Sequence, residues 1–211
     1  MSFVLDHMTK QFVYGMLKNQ NHYMFLMDIK VVFDNNNNEN KSNKIGGNGY
    51  TICSGSYDDT IRIWDIETTK QFNLLEGHSS WIMSLKYGSN ELLNTILSGS
   101  KDKSVRLWDI RSRQQIQVFN GHTSLVYAVE YSPFVIKNSI GNSNVICSGS
   151  YDNTIRFWDI RSNNNELHVI EGDKEDNVIF CLKFIGLKKK EKTNGLNLCY
   201  GSWRGPIRIW G

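Results

Sequence analysis

"SGSYDDTIRIWDI" at 54–66 returns as "SGSKDKSVRLWDI" at 98–110 and "SGSYDNTIRFWDI" at 148–160, so the copies start 44 and then 50 residues apart. Each copy opens on a β-prone stretch: "YTICSGS" (50–56), "NTILSGS" (94–100) or "NVICSGS" (144–150). A turn follows ("YDD", "KDK", "YDN"), then "TIRIWDI", "SVRLWDI" or "TIRFWDI". Apolar and polar residues alternate with period two, bounded by Gly, Asp and Asn, which predicts a β-hairpin.

Working outward, each of the first two copies leads through a polar turn to another strand, "QFNLLEGH" (71–78) or "QIQVFNGH" (115–122). After each Gly-His comes a fourth, "SSWIMSLKY" (79–87) or "TSLVYAVEY" (123–131). The unit is therefore four short antiparallel strands, with no helical periodicity of useful length. One such sheet cannot bury both faces alone, and sheets repeated at this period stack around an axis as blades of a β-propeller.

Composition agrees. The 211 residues are 40% hydrophobic and 21% charged, enough for one domain or one repeat array. The net charge of +3 is too mild to imply nucleic acid. No apolar run reaches the ~20 residues of a membrane helix, and "MSFVLDHMTKQF" carries no signal-peptide pattern. Membrane insertion is not expected, and the expected compartment is intracellular, cytoplasmic or nuclear. Cys53, Cys147, Cys181 and Cys199 form no CxxC pair, so neither a metal site nor a disulfide framework is expected. "NNNNEN" at 35–40 reads as a solvated loop.

Gly-His, an Asp in the turn and Trp-Asp at the strand end together resemble the WD40 repeat. Gly77-His78 leads to Trp108-Asp109, and Gly121-His122 leads to Trp158-Asp159. The resemblance covers about residues 22–211 and implies an all-β WD40-type propeller, or part of one, of four four-stranded antiparallel blades. The expected units are an N-terminal segment (1–20) with an outer strand at 9–17, then repeats at 21–66, 67–110, 111–160 and a degenerate 161–211. Aligning "NHYMFLMDIKVVF" (21–33) with "GHSSWIMSLKYG" makes His22 the first histidine. In the fourth unit Tyr200 replaces the strand Ser, Arg204 the turn Asp, and Gly211 follows Trp210.

In that family the His, turn Asp, strand Ser and Trp form a hydrogen-bonded chain. The resemblance places it on His22, Ser54, Asp58 and Trp64; on His78, Ser98, Asp102 and Trp108; and on His122, Ser148, Asp152 and Trp158. Ser, His and Asp also make a hydrolase triad. One copy per repeat favours a scaffold over three active sites, so no catalytic residue and no cofactor are expected.

The resemblance also puts the loops between a blade's first and second strands at one end and the second-to-third turns at the other. All four inserts (35–49, 88–94, 132–144, 186–197) fall in the first class. On the short-turn end the expected partner-binding residues are Phe25, Tyr57, Trp81, Met83, Lys101, Tyr127, Tyr151 and Trp203. Phe180 shares this region, while Met27, Leu125 and Val178 read as packing residues. Arg62, Arg106, Arg156 and Arg208 read as blade-to-blade contacts, and "KKKEK" (188–192) as a solvated run. The expected function is a non-catalytic scaffold for proteins or peptides, without direct nucleic-acid contact. The alternatives are an adaptor in a ubiquitin-ligase, chromatin or splicing complex, or a propeller enzyme. "TKQF" at 9–12 repeats "TKQF" at 69–72. The N-terminal strand could thus complete the fourth blade, or that of a second copy in an eight-bladed dimer; a longer array is a third arrangement.

Overall fold

The computed structural model describes residues 16–19, 22–31, 50–65, 68, 70–88, 92–138, 141–161, 166–173, 177–187, 195–203 and 205–210. These form sixteen strands in four antiparallel sheets. The first sheet holds β1 (Met16–Asn19), β2 (His22–Val31), β3 (Tyr50–Ser56), β4 (Ile61–Asp65) and β5 (Gln71–Leu75), in that order. The second holds β6 (Ile82–Tyr87), β7 (Thr95–Ser100), β8 (Val105–Asp109) and β9 (Gln114–Phe119). The third holds β10 (Val126–Asn138), β11 (Gly141–Ser150), β12 (Thr154–Asp159) and β13 (Glu166–Glu171). The fourth holds β14 (Ile179–Leu187), β15 (Gly195–Ser202) and β16 (Arg208–Trp210). This is the all-β, partial-propeller architecture expected, with five strands in the first sheet and three in the last where four were expected.

The fifth strand comes from the N-terminal segment. Residues 9–15 of the expected outer strand lie outside the described residues. Its last two, Met16 and Leu17, pair with Phe25 and Met24 on the first blade. β2 is the first blade's inner strand, as expected, in a different register. Alignment by histidine would put Ile29 opposite Ser54; Leu26 stands there and Ile29 stands opposite Ile52.

Strand pairing runs into two of the inserts. β10 and β11 pair out to Asn138 and Gly141, so 132–144 is mostly an extended hairpin, entered through an irregularity between Tyr131 and Val135. β14 and β15 likewise pair out to Leu187 and Gly195.

The core lies between blades, and each interface is built from the same positions. Cys53, Ile61, Ile63 and Leu75 of the first blade meet Ile82, Leu85, Tyr87, Ile96 and Trp108 of the second. Leu97, Val105, Leu107 and Phe119 then meet Val126, Val129, Tyr131, Ile146 and Trp158. Cys147, Ile155 and Phe157 meet Ile179, Leu182, Phe184 and Leu198. Two interfaces add a hydroxyl pair, Thr51 with Tyr87 (3.1 Å) and Thr95 with Tyr131 (2.8 Å). Alternation thus serves both faces of each sheet, which is why "TILSGS" in β7 is buried from end to end.

Candidate protein-interaction site

Within the repeated phrase the first Ser, the Asp and the Trp are joined through the histidine. In the second blade the Trp108 indole N–H donates to Ser98 Oγ (2.8 Å), Ser98 to His78 Nε2 (2.7 Å), and His78 Nδ1–H to Asp102 (2.7 Å). A carboxylate can only accept, so Nδ1 carries the proton and Nε2 is left to accept. The third blade repeats the geometry: Trp158 to Ser148 (2.9 Å), Ser148 with His122 Nε2 (2.8 Å), and His122 Nδ1 with Asp152 (2.9 Å). Each turn carboxylate also accepts from the hydroxyl two residues on, Ser104 or Thr154, both at 2.6 Å. Those hydroxyls are members the expected set omitted; their recurrence after the turn ("DDT", "DKS", "DNT") was the available signal.

In the first blade Trp64 donates to Ser54 (2.8 Å), while Asp58 binds Arg62 (2.6 Å) and Thr60 (2.5 Å). The His22 side chain lies outside the described residues. Burial raises the Asp58 pKa, but the hydrogen bonds from Arg62, Thr60 and Ser56 outweigh it and hold it at about 2. The same contest holds Asp102 and Asp152 below the usual carboxylate range. For His78 burial is the largest influence and pushes its pKa down against the attraction of Asp102. Ser98 and Ser148 are 0% exposed and committed to Trp and His, so neither can attack a substrate.

The rest of the phrase fixes the turns. Ser100 Oγ accepts from the Asp102 N–H (3.0 Å) and donates to the Ser80 carbonyl (2.8 Å). Asp109 of the Trp-Asp pair caps the next turn by accepting the Arg111 and Ser112 N–H groups (2.8 Å each). The recurring arginines work mostly inside their own blades: Arg62 and Arg106 reach their own turn Asp, and Arg156 reaches Glu166. Arg208 reaches back to Asp173 in the preceding blade (2.7 Å), the blade-to-blade role expected of all four.

The residue before the turn Asp is tied to the start of its blade's inner strand. Lys101 N–H donates to the Trp81 carbonyl, Tyr151 to Leu125 and Trp203 to Val178, at 2.8–3.1 Å. Tyr57, Trp81, Lys101, Tyr127, Tyr151 and Trp203 therefore lie toward one end. Tyr57 stacks on Trp81 (centroids 4.3 Å, planes 25° apart), and Lys101 Nζ sits 3.8 Å from the Trp81 ring centroid. Tyr127 contacts Tyr151 (6.4 Å) and Phe180 (4.5 Å), and Phe180 contacts Trp203 (5.1 Å). The two rows adjoin: burial, then the phenols of Tyr151 and Tyr57, raise the Tyr127 pKa. Trp203 is 66% exposed, Tyr151 53% and Trp81 38%; Tyr57, Met83 and Tyr127 are half-buried and Lys101 exposed. Phe180 joins the group as the link between Tyr127 and Trp203. Val178 is buried and Leu125 half-buried, while the side chains of Phe25 and Met27 lie outside the described residues. Cys53 and Cys147 are buried and Cys181 is exposed. Among the described residues no His/Cys/Asp/Glu group could hold a metal, and no helix is long and apolar enough to cross a membrane.

Interlocked four-stranded sheets pinned by a Trp–Ser–His–Asp chain define a repeat propeller. The chain belongs to the WD40 family (WD domain, G-beta repeat), which matches residues 42–65, 69–109 and 113–159. WD40 repeats generally act as protein-interaction scaffolds and are typically non-catalytic. No curated protein matches the chain. Among solved structures it is similar to the computationally designed Ika4 protein, with 27% identity and a TM-score of 0.57 over 76% of this chain and 84% of that one. The computationally designed Ika8 protein gives the same identity, TM-score and coverage here, but over 42% of its own length.

Proposed function

We propose that the chain is a non-catalytic scaffold that binds a protein or peptide on its short-turn end, through Tyr57, Trp81, Lys101, Tyr127, Tyr151, Phe180 and Trp203. The observation that carries this is the exposure of Trp203, Tyr151 and Trp81 although ring contacts hold each one in place. Aromatic side chains that are already ordered lose little entropy on binding, and such residues dominate interface energetics. The recurring polar residues are consumed by the scaffold, which leaves this cluster as the distinctive chemistry of that end.

The test is affinity purification from native extract with the parent chain, Tyr151→Ala and Trp203→Ala. Loss of an aromatic anchor costs about 2 kcal/mol or more of binding, a drop of more than tenfold. Recovered partners should fall accordingly, with the melting temperature within about 2 °C of the parent. Deletion of residues 35–43, in the insert between β2 and β3, should leave recovery unchanged. Recovery lost with the deletion and kept with both aromatic variants would move the site to the insert end.

A further inference from the structure

We propose that the partner segment bound at the aromatic end carries a cationic side chain, arginine or lysine, which seats over Tyr127, Tyr151 and Phe180 where the third and fourth blades meet. The inference rests on the reading of that end as the interaction surface, and it names the chemistry of what is bound there. Two junctions between blades supply the comparison. Where the first blade meets the second, Tyr57 stacks on Trp81 with centroids 4.3 Å apart, and the Lys101 ammonium stands 3.8 Å from the Trp81 ring centroid. A ring face is the negative pole of the aromatic quadrupole, so the chain already fills one such face with its own cation.

Where the third blade meets the fourth, the rings recur without the cation. Tyr127 lies 6.4 Å from Tyr151 and 4.5 Å from Phe180, with planes 40° apart in each pair. Rings tilted in this way leave more of their faces open than the stacked pair of Tyr57 and Trp81. Among the described residues no ammonium or guanidinium sits over these three rings. The turns differ in the same sense. The exposed Lys101 and Lys103 flank the carboxylate of the second turn, whereas Tyr151 and Asn153 flank that of the third.

The charge beside the rings favours the same ligand. Asp58 and Asp102 each pair with the arginine four residues on, at 2.6 Å and 3.4 Å. Arg156, the third of that series, turns to Glu166 instead, and among the described residues no arginine or lysine pairs with Asp152. Burial raises the Asp152 pKa, but hydrogen bonds from His122 and Thr154 outweigh it, so the carboxylate is ionised at neutral pH. A negative charge without its arginine, one residue from Tyr151 and beside open ring faces, is the electrostatic complement of a partner's cation. It disfavours an acidic side chain and gives nothing to a purely apolar one. Arginine and lysine share the required charge, and a guanidinium can also stack flat on a ring.

The test is selection from a displayed library of random short peptides on the full chain, on Tyr151→Ala and on Tyr151→Phe. Peptides held by the parent and by Tyr151→Phe, and lost with Tyr151→Ala, should share an arginine or lysine at one position. Exchange of that residue for citrulline or norleucine, which remove the charge and keep the length of the side chain, should weaken binding about tenfold. Added salt should weaken the cationic peptide more than its neutral counterpart. Peptides that depend on Tyr151 but share an aliphatic, aromatic or acidic residue would overturn the cation and leave the aromatic end as the interaction surface. Equal affinity for the arginine and citrulline forms would do the same. Selection of no peptide that depends on Tyr151 would also overturn the proposal, and recovery of partners from extract by Tyr151→Ala then decides separately whether the aromatic end binds at all.

Discussion

His78 sits at the middle of a chain in which each partner has one remaining choice. Ser98 accepts from Trp108, Asp102 can only accept, and the imidazole between them is neutral because burial lowers its pKa. Removing it strands a buried hydroxyl and a buried carboxylate. His78→Ala is expected to cost about 1–3 kcal/mol, seen as a fall in melting temperature of several degrees. The fall with pH follows from the same contacts. The unfolded chain takes up a proton at His78 near 6.5, while the folded chain holds it off to lower pH. Stability from this site is therefore complete above 6.5 and is lost as pH falls below it. Asp58, Asp102 and Asp152 are lowered from 3.8, so their contribution is complete above 3.8 and is lost as pH falls further. Melting temperature should thus decline in two limbs, and His78→Gln should flatten the upper one. Parallel curves for parent and variant between pH 6.5 and 3.8 would contradict the protonation state assigned to His78.

At the scale of the strand, the glycine in "SGS" sets how closely blades approach. A Cβ on Gly55 would stand 2.5 Å from Ile82 Cγ2, one on Gly99 2.8 Å from Val126 Cγ1, and one on Gly149 2.6 Å from Ile179 Cγ2. Each contact is with the first residue of the next blade's inner strand, so Gly99→Ala must push two blades apart. The expected cost is about 1–3 kcal/mol, read by urea unfolding. In the fourth blade Gly201→Ala meets the sulfur of Cys181, a side chain of its own blade, and should cost less. Equal costs would contradict the interface account. These hairpins were legible in the sequence because every letter of the phrase answers a local demand: a hydroxyl for the Trp, no side chain for the neighbour, a carboxylate for the turn. The β2 register was not, because "YMFLMDIKVVF" (23–33) is apolar at both alternating sets of positions and a slip leaves the pattern intact. The 132–144 hairpin was hidden by Pro133 and its Asn and Ser residues, which read as loop although the ladder resumes at Val135. At the aromatic end, the short-turn positions were readable from the repeat. The place of Phe180 between Tyr127 and Trp203 depends on two blades meeting, which no local pattern records.

Over the whole molecule, stability should be graded by how many faces of each blade are covered. In a repeat array each unit contacts only its neighbours, so the free energy of opening a unit is its own stability plus the interfaces it breaks. The second and third blades each sit between two neighbours, with inner and outer interfaces filled. Among the described residues the fourth meets one neighbour and has three strands, and Trp210 holds it to the third through Phe157 (6.1 Å) and His168 (6.0 Å). Arg208 adds the ion pair to Asp173, which is mostly exposed and so contributes little. Opening the fourth blade breaks one apolar interface, whereas opening the second or third breaks two. Amide hydrogen exchange should therefore be fastest in β15 and slowest in β7 and β11, the strands buried in the middle of their sheets. Equal protection of β7, β11 and β15 would mean that the blades open together, and that the interfaces rather than the individual sheets set a single cooperative unit.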